Sequence, residues 1–459
     1  MVNFNQRLIM IEKIRWEDVS SSIIDIRDPF SIHDIHAKSP YEKDSRNQII
    51  KIIIDLRKIF AAVNTTPKMY IIKDIEEGLP KLSYCYKSTA KEKLELILMT
   101  GGNEKRSNAW SIYKTFYILF DYDDMRFYSM NPRSFTHFRG YDLQPVKTVS
   151  LKLIAPFLDH ILDVICAGDE DLYDYINKWI ASIIQIPNIK LETALVIIGT
   201  QGTGKNLFTN TLCNLIDRYA VKNISDLDHI IGTYNAVIQN KKLVVCNELE
   251  SILSRKSRNM DRLKTVITEK TIRINEKYIK HYTCDNVANF IFISNNPVPI
   301  LIEDNDRRFV VTETSNEVVG NTKYFKKLGK LVEEREGDFY NHLFTYYLTK
   351  SIADFDHRSI PVTEAKEFIK KMSQPPEVQF IHENFRRIRN VRGPVLHEMW
   401  KEYARSIGVK AGSRNEFLAK VHPFTGESQI NYIADIKMSQ RVYNILPEVF
   451  EKLDEQFPI

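Results

Sequence analysis

The stretch LVIIGTQGTGKNLFTNTL, Leu195 to Leu212, decides the fold. Its first residues form a continuous apolar run of the kind a buried strand uses. Gly199, Gly202 and Gly204 then permit a tight loop, Lys205 closes it, and NLFTNTLCNLI continues with helical patterning. A glycine-rich loop between strand and helix is an anion site. Its backbone N–H groups point inward, and the helix N-terminus adds partial positive charge. The spacing is that of G-x-x-x-x-G-K-[ST], a phosphate cradle whose lysine reaches the β and γ phosphates. The expected nucleotide-binding set is Gly199, Thr200, Gly202, Thr203, Gly204, Lys205, Asn206 and Leu207, with ATP and Mg²⁺ as cofactors.

One position departs from that pattern. Where Ser or Thr would place a hydroxyl near Mg²⁺, the chain has Asn206. A carboxamide oxygen is an acceptor of similar reach, so a metal-side role is expected. The competing reading is a simple helix cap.

A second strand, KKLVVCNELE, should present polar groups to the metal and the attacking water. Asn247 and Glu248 end it, and Glu248 is the expected base, with Glu250 as the fallback. The metal set is therefore Asn206, Asn247 and Glu248. A third strand, NFIFISNNPVPI, ends in Asn295, placed to orient the water and sense the γ phosphate. In DNDRRFVV, Arg307 and Arg308 precede another strand. A guanidinium there would neutralise transition-state charge; the plainer reading is a salt-bridged pair with Asp304 or Asp306.

Around this cassette, 459 residues leave room for two to four domains. A hydrophobic fraction of 43% and a charged fraction of 27% are those of a soluble globular chain. The net charge of +5 makes any nucleic-acid surface local. The five cysteines lack CxxC spacing, so neither zinc site nor disulfide framework is indicated, and reduced core thiols in an intracellular protein are expected. Glu12, Lys13 and Arg15 interrupt any signal-peptide core, and no apolar run is long enough for a membrane span. The expected divisions are an α+β region over 1–145, a helical collar over 146–192, the ATPase over 193–355 and a C-terminal module over 356–459. TFYILFDYDDMRFYSM carries Asp121, Asp123 and Asp124. A metal-binding D-x-D pair of a primase is one reading; the favoured one is a β-hairpin with an Asp-rich turn. RNQIIKIIIDLRKIFAAV reads as an amphipathic helix.

Taken together, the P-loop, Glu248, Asn295 and Arg307/Arg308 have an order that resembles superfamily 3 helicases, in the branch related to poxvirus primase-helicases and to phage and plasmid replication proteins. FRGYDLQP, YDYINKWIASIIQIPN, GTYNAVIQNKKLVVCNE and DNDRRFVV carry the likeness over about 130–380. In that branch the loop often reads GKN. The resemblance implies a modified AAA+ fold: a P-loop parallel sheet with helices on both faces, assembled as a ring, usually a hexamer, with ATP between subunits. Arg307 or Arg308 would then act in trans. It also implies that the hairpin TIRINEKYIKHYTCDN grips single-stranded DNA in the ring channel, through Lys277, Tyr278, Lys280 and His281. Cations for phosphates and an aromatic for stacking suit that task; a solvated basic hairpin is the alternative.

The tail holds Arg386, Arg387, Arg389 and Arg392, then helix, turn, helix and a hairpin-like end. That is a winged-helix order. The leading expectation is an ATP-dependent DNA helicase in replication, acting on single-stranded and fork DNA, with a primase or polymerase as a candidate partner and, in a virus, in host cytoplasm or nucleus. The competing classes are the helicase portion of a primase-polymerase system and a non-enzymatic ATP-binding DNA loader or origin binder.

Overall fold

The computed structural model describes residues 24–25, 34–35, 41–42, 46–76, 79–100, 107–247, 256–276, 279–333, 338–426, 429–433 and 438–456. Its centre is a five-stranded sheet built from β1 (Ala194–Ile198), β2 (Ala220–Ile224), β3 (Leu243–Asn247), β4 (Asn289–Ser294) and β5 (Phe309–Glu313). The spatial order is β2-β3-β4-β1-β5, and every neighbouring pair is parallel. β1 and β4 are buried along their whole length. Continuous apolar strands of this kind need cover on both sides, and helices pack on both faces of the sheet.

Four of these strands stand out in the sequence as apolar runs. β2, one of the two edge strands, does not, because it is half exposed and polar in its second half. Its residues AVKNI expose Lys222 and Asn223, and its pairing with β3 shifts register where Asn223 adopts φ 61°. Charge and an irregular register are what keep an edge strand from pairing with another chain.

Helix α1 (Lys205–Ile216) follows β1 and buries Phe208, Leu212, Leu215 and Ile216. The helices Glu170–Gln185 and Asp338–Thr349 add Trp179, Ile180, Ile183, Leu343 and Phe344 to the same core. Trp179 is anchored as it is buried: its Nε1–H donates to Thr193 Oγ1 at 3.1 Å, just before β1. The segment Leu151–Asp159, read as helical, is α-helical and passes into a π-helical turn over His160–Ile165.

Before the sheet lies a separate four-stranded one, ordered Leu79–Cys85, Met69–Glu76, Phe60–Val63, Asp121–Tyr122. Two expectations need correction here. The amphipathic helix ends at Arg57, and Phe60–Val63 is a fully buried strand. The Asp-rich stretch is not a hairpin. Asp121–Tyr122 pairs in parallel with Ala62–Val63, whereas Asp124–Arg126 pairs in parallel with Ser134–Thr136, in another sheet. The preceding residues are helical over Ala109–Thr115 and Tyr117–Leu119. Each carboxylate has a cation: Asp121 pairs with Lys68 and accepts from Tyr113 Oη, Asp123 pairs with Arg133, and Asp124 with Arg126. No group of three or more His, Cys, Asp or Glu suited to a metal occurs among the described residues.

The two strands of the strand–turn–strand expectation are present, and the turn itself, Lys277–Tyr278, lies outside the described residues. Thr271–Glu276 and Ile279–Asp285 form an antiparallel pair from Thr271↔Asp285 to Glu276↔Ile279. All five cysteines are free, and four are buried.

The chain divides into two compact units: residues 1–296 with 307–361, and residues 297–306 with 362–459. In the second, Thr363 caps the helix Glu364–Ser373 by accepting from Lys366 N. Its remaining elements run helix (Pro376–Asn384), strand (Val391–Arg392), helix (Gly393–Ser406), helix (Arg414–Thr425) and two strands (Gln429–Ile433, Met438–Tyr443), then a final helix (Pro447–Gln456). The three strands form one antiparallel sheet. Ser413 and Glu416 make a capping box at the third helix, a motif that satisfies two orphan donors at once. No described helix is long and apolar enough to cross a membrane.

Candidate nucleotide-binding site

The loop Gly199–Gly204 sits at the C-terminal end of β1, where α/β sheets place ligands. Two of its glycines are required by space as well as by conformation. Gly199 has φ 146°, and a Cβ there would lie 2.0 Å from Thr314 Oγ1. Gly204 has φ 91°, and a Cβ there would lie 2.5 Å from His160 Cε1.

Three groups brace the loop from outside. Thr314, just past β5, donates through Oγ1 to Thr203 Oγ1 at 3.0 Å. Thr200 Oγ1 donates to Asn316 Oδ1 at 2.5 Å. His160 is fully buried and lies 3.3 Å from the Gly204 carbonyl through Nε2 and 2.8 Å from Tyr324 Oη through Nδ1. A carbonyl only accepts, so Nε2 carries the proton and Nδ1 accepts from the tyrosine. Burial pulls the His160 pKa down to about 4, which keeps the ring in this neutral form. These braces lie far from the loop in sequence, and nothing in their spacing announces them.

Lys205 is buried, and its Nζ donates to the carbonyls of Gly199 (2.8 Å) and Thr200 (2.7 Å). The ammonium is thus folded over the cradle on acceptors that a phosphate would replace. Desolvation lowers its pKa from the ordinary lysine value.

Sheet register decides which other groups share this end. Ile198 pairs with Ser294, so Gly199 and Asn295 are level on adjacent strands, about 4.8 Å apart in the ladder direction. Asn295 is exposed and lines the same cleft as Lys205, Asn206 and the half-buried ring of Phe325, with a volume of about 490 Å³. Asn206 is exposed at the helix start, facing that cleft. Asn247 ends β3, one strand farther out, with Nδ2 donating to Asn223 Oδ1 at 3.2 Å. Its Oδ1 is buried with no hydrogen-bond partner among the described residues. A buried acceptor left this way costs about 1–3 kcal/mol, so it is a fitting ligand or second-sphere acceptor for a hydrated cation. Loop glycines, Lys205 and the Asn206 carboxamide line one cleft and suit a Mg²⁺-bound nucleoside triphosphate, whereas Asn247 is not among the residues that line it.

The arginines are not brought to this place. They precede β5, and the Arg308 carbonyl accepts from Ala194 N at 2.8 Å, at the opposite, N-terminal end of these strands. Arg307 is exposed there. Glu248, Glu250, Lys277 and Tyr278 lie outside the described residues; Lys280 is placed only by its backbone in the hairpin, and His281 is exposed. The sequence did not single out His160, Thr314, Asn316, Tyr324 or Phe325; a lone histidine in an apolar helix was the sole signal.

The pattern of a family of unknown function, DUF5906, matches residues 197–308, which spans the loop, the hairpin and the arginine pair. The chain is 38% identical over 155 residues to a DNA primase-polymerase of Nitratiruptor phage NrS-1; this covers 32% of the chain and 21% of that protein. The chain thus spans about a fifth of the curated relative it matches. In fold it is similar to solved structures of the NrS-1 C-terminal region without ligand. One gives a TM-score of 0.59 at 18% identity, covering 92% of this chain and 100% of that one. Another form gives 0.58 at 18% identity, covering 85% and 98%.

Proposed function

We propose that the chain is an ATP-dependent DNA helicase of superfamily 3 acting in replication of a viral or phage-like genome, working as a ring, with a hexamer as the expected size. The observation that carries this reading is the register of one parallel sheet. It lines up the Gly199–Lys205 cradle and Asn295 at the C-terminal ends of the strands and leaves Arg307 and Arg308 at the N-terminal end. Such a site is half a site: the cradle holds a nucleotide, and a neighbouring subunit supplies the cation.

In this account Lys205 swings from the Gly199 and Thr200 carbonyls onto the β and γ phosphates. The loop N–H groups and the start of α1 hold the remaining phosphate charge. Asn206 and Asn247 would present oxygens to Mg²⁺, which when bound neutralises phosphate charge. Asn295 orients the attacking water, and Glu248 accepts its proton. Arg307 or Arg308 of the adjacent subunit offsets the charge that develops on transfer, an effect worth about 10³–10⁵-fold in other systems. The hairpin between β3 and β4 then moves single-stranded DNA through Lys277, Tyr278, Lys280 and His281. The modules assigned to this work are the N-terminal α+β region, the collar, the ATPase and a winged-helix-like end.

A second reading rests on the likeness to the phage primase-polymerase. There the chain serves as the helicase portion of a primase-polymerase system, with primer synthesis supplied elsewhere. A forked duplex with a labelled strand separates these readings from a passive loader. Strand release that requires hydrolysable ATP supports the helicase; release with a non-hydrolysable analogue, or none at all, contradicts it. Primer synthesis by the chain alone would favour the primase-polymerase.

A further inference from the structure

A second cleft, of about 480 Å³, opens at the root of the hairpin, where Thr271 pairs with Asp285. Arg126, Tyr128, Asn188, Lys190, Lys270 and Asp285 line it. They come from three separate stretches: the N-terminal region, the segment before β1, and the hairpin root.

The walls are fixed by hydrogen bonds. Asp285 accepts from Phe127 N at 2.8 Å and from Arg126 Nη1 at 3.3 Å. Arg126 Nε also donates to Asp124 at 2.9 Å. Asn286 Nδ2 donates to the carbonyls of Val266 (2.8 Å) and Glu269 (2.7 Å), which ties the root to the preceding helix. Lys190 Nζ donates to the Ala288 carbonyl and lies 5.1 Å from the centre of the Phe290 ring.

The lining places three cations against one carboxylate, beside an aromatic ring that is 38% exposed, Tyr128. The edge contact of Tyr128 with Phe138, at 6.1 Å between centroids, holds that ring in place. Burial pulls the Lys190 pKa down to about 7, so an anion in the cleft would restore its full charge. Cations for phosphate oxygens next to an exposed ring are the combination that strand-tracking proteins use without reading bases.

We propose that this cleft is a second contact for single-stranded DNA, with Lys190 and Lys270 on its phosphates and Tyr128 stacked on a base. The proposal rests on the reading of the hairpin as a DNA-gripping element. The cleft lies at the Thr271↔Asp285 end of the strand pair, and its far end, Glu276↔Ile279, is about 17 Å away at the usual strand rise. A strand held at the tip raises the effective concentration of its neighbouring nucleotides at the cleft.

The test compares three proteins by fluorescence anisotropy with labelled oligodeoxythymidine across a salt series: wild type, Lys270→Glu/Tyr128→Ala, and Lys277→Ala/Lys280→Ala. Both cleft substitutions are at exposed side chains, and thermal melting checks that the variant is folded. The cleft variant is expected to bind about tenfold more weakly and with a shallower salt slope. An iododeoxyuridine-substituted oligonucleotide should also photocrosslink to Tyr128 in the wild type, as read by peptide mass spectrometry. Wild-type affinity in the cleft variant, with loss in the hairpin variant and no crosslink at Tyr128, overturns the cleft and leaves the hairpin reading standing. Wild-type protein that binds no oligonucleotide overturns both.

Discussion

The Ala194 N–H donates to the Arg308 carbonyl at 2.8 Å, at the start of β1 and β5. The phosphate loop begins five residues later, at the other end of β1, about 16 Å away at the usual strand rise. That span exceeds the reach of one arginine side chain. In this conformation the chain's arginines do not reach its own cradle, and in the ring account they serve a neighbour's. The prediction is complementation. Subunits carrying Lys205→Ala and subunits carrying Arg307→Ala/Arg308→Ala should each be inactive in ATP hydrolysis. Mixing them should restore a measurable fraction, because some interfaces then pair an intact lysine with an intact arginine. Mixtures no more active than either parent would remove the shared-site account.

In this account the lysine and its neighbours divide the labour of the cradle. Lys205→Ala should abolish ATP binding, whereas Glu248→Gln should keep binding and stop turnover, since an amide takes no proton. Asn206→Ser should retain Mg²⁺-dependent hydrolysis and Asn206→Leu should lose it. Equilibrium dialysis with labelled ATP, together with phosphate release, reads all four variants. Full activity in Asn206→Leu would mean that Asn206 only caps the helix.

His160 links loop geometry to pH. Its folded pKa, about 4, lies below the ordinary histidine value of 6.5. As pH falls, the unfolded chain takes the proton first. Stability is therefore complete above about 6.5 and declines toward about 4, at no more than about 1.4 kcal/mol per pH unit for this group. His137, also buried and pulled down to about 3, declines over the same range and further into acid. His160→Gln keeps a donor for the Gly204 carbonyl and removes the titration. Its melting temperature should fall less steeply between pH 6.5 and 4 than that of the wild type. Gly204→Ala, in contrast, should weaken ATP binding and cost about 1–3 kcal/mol of stability, from a strained φ and contact with His160.

The hairpin carries movement along DNA in this account, apart from hydrolysis. Lys277→Ala/Lys280→Ala should reduce strand separation far more than basal ATPase, and should lower the salt dependence of single-strand binding as fewer counterions are released. Parallel measurement of unwinding, basal hydrolysis and affinity on one preparation decides it. Normal unwinding with an unchanged salt slope would shift attention to Arg386, Arg387, Arg389 and Arg392.

Much of the sheet is legible because buried parallel strands are apolar throughout. ALVII, LVVCN, NFIFIS and FVVTE need no periodicity argument. AVKNI escapes because, unlike the other edge strand FVVTE, it is half exposed and carries Lys222 and Asn223, and its bulge breaks any alternation. DYDDMR misleads for a different reason. Asp favours turns locally, but here Asp121 is buried against Lys68 and Tyr113 while two sheets divide the stretch between them. At the site, the Gly199–Asn206 loop announces itself through spacing that is all local. His160, Thr314 and Asn316 act on the loop from 44 or more residues away, across tertiary contacts that no local pattern encodes.

The most direct test is ATP hydrolysis by the purified chain with and without single-stranded DNA, using Lys205→Ala as the control. The account predicts Mg²⁺-dependent hydrolysis that rises severalfold on adding the strand and disappears in the variant. Hydrolysis absent under both conditions, or equal in Lys205→Ala, would contradict it.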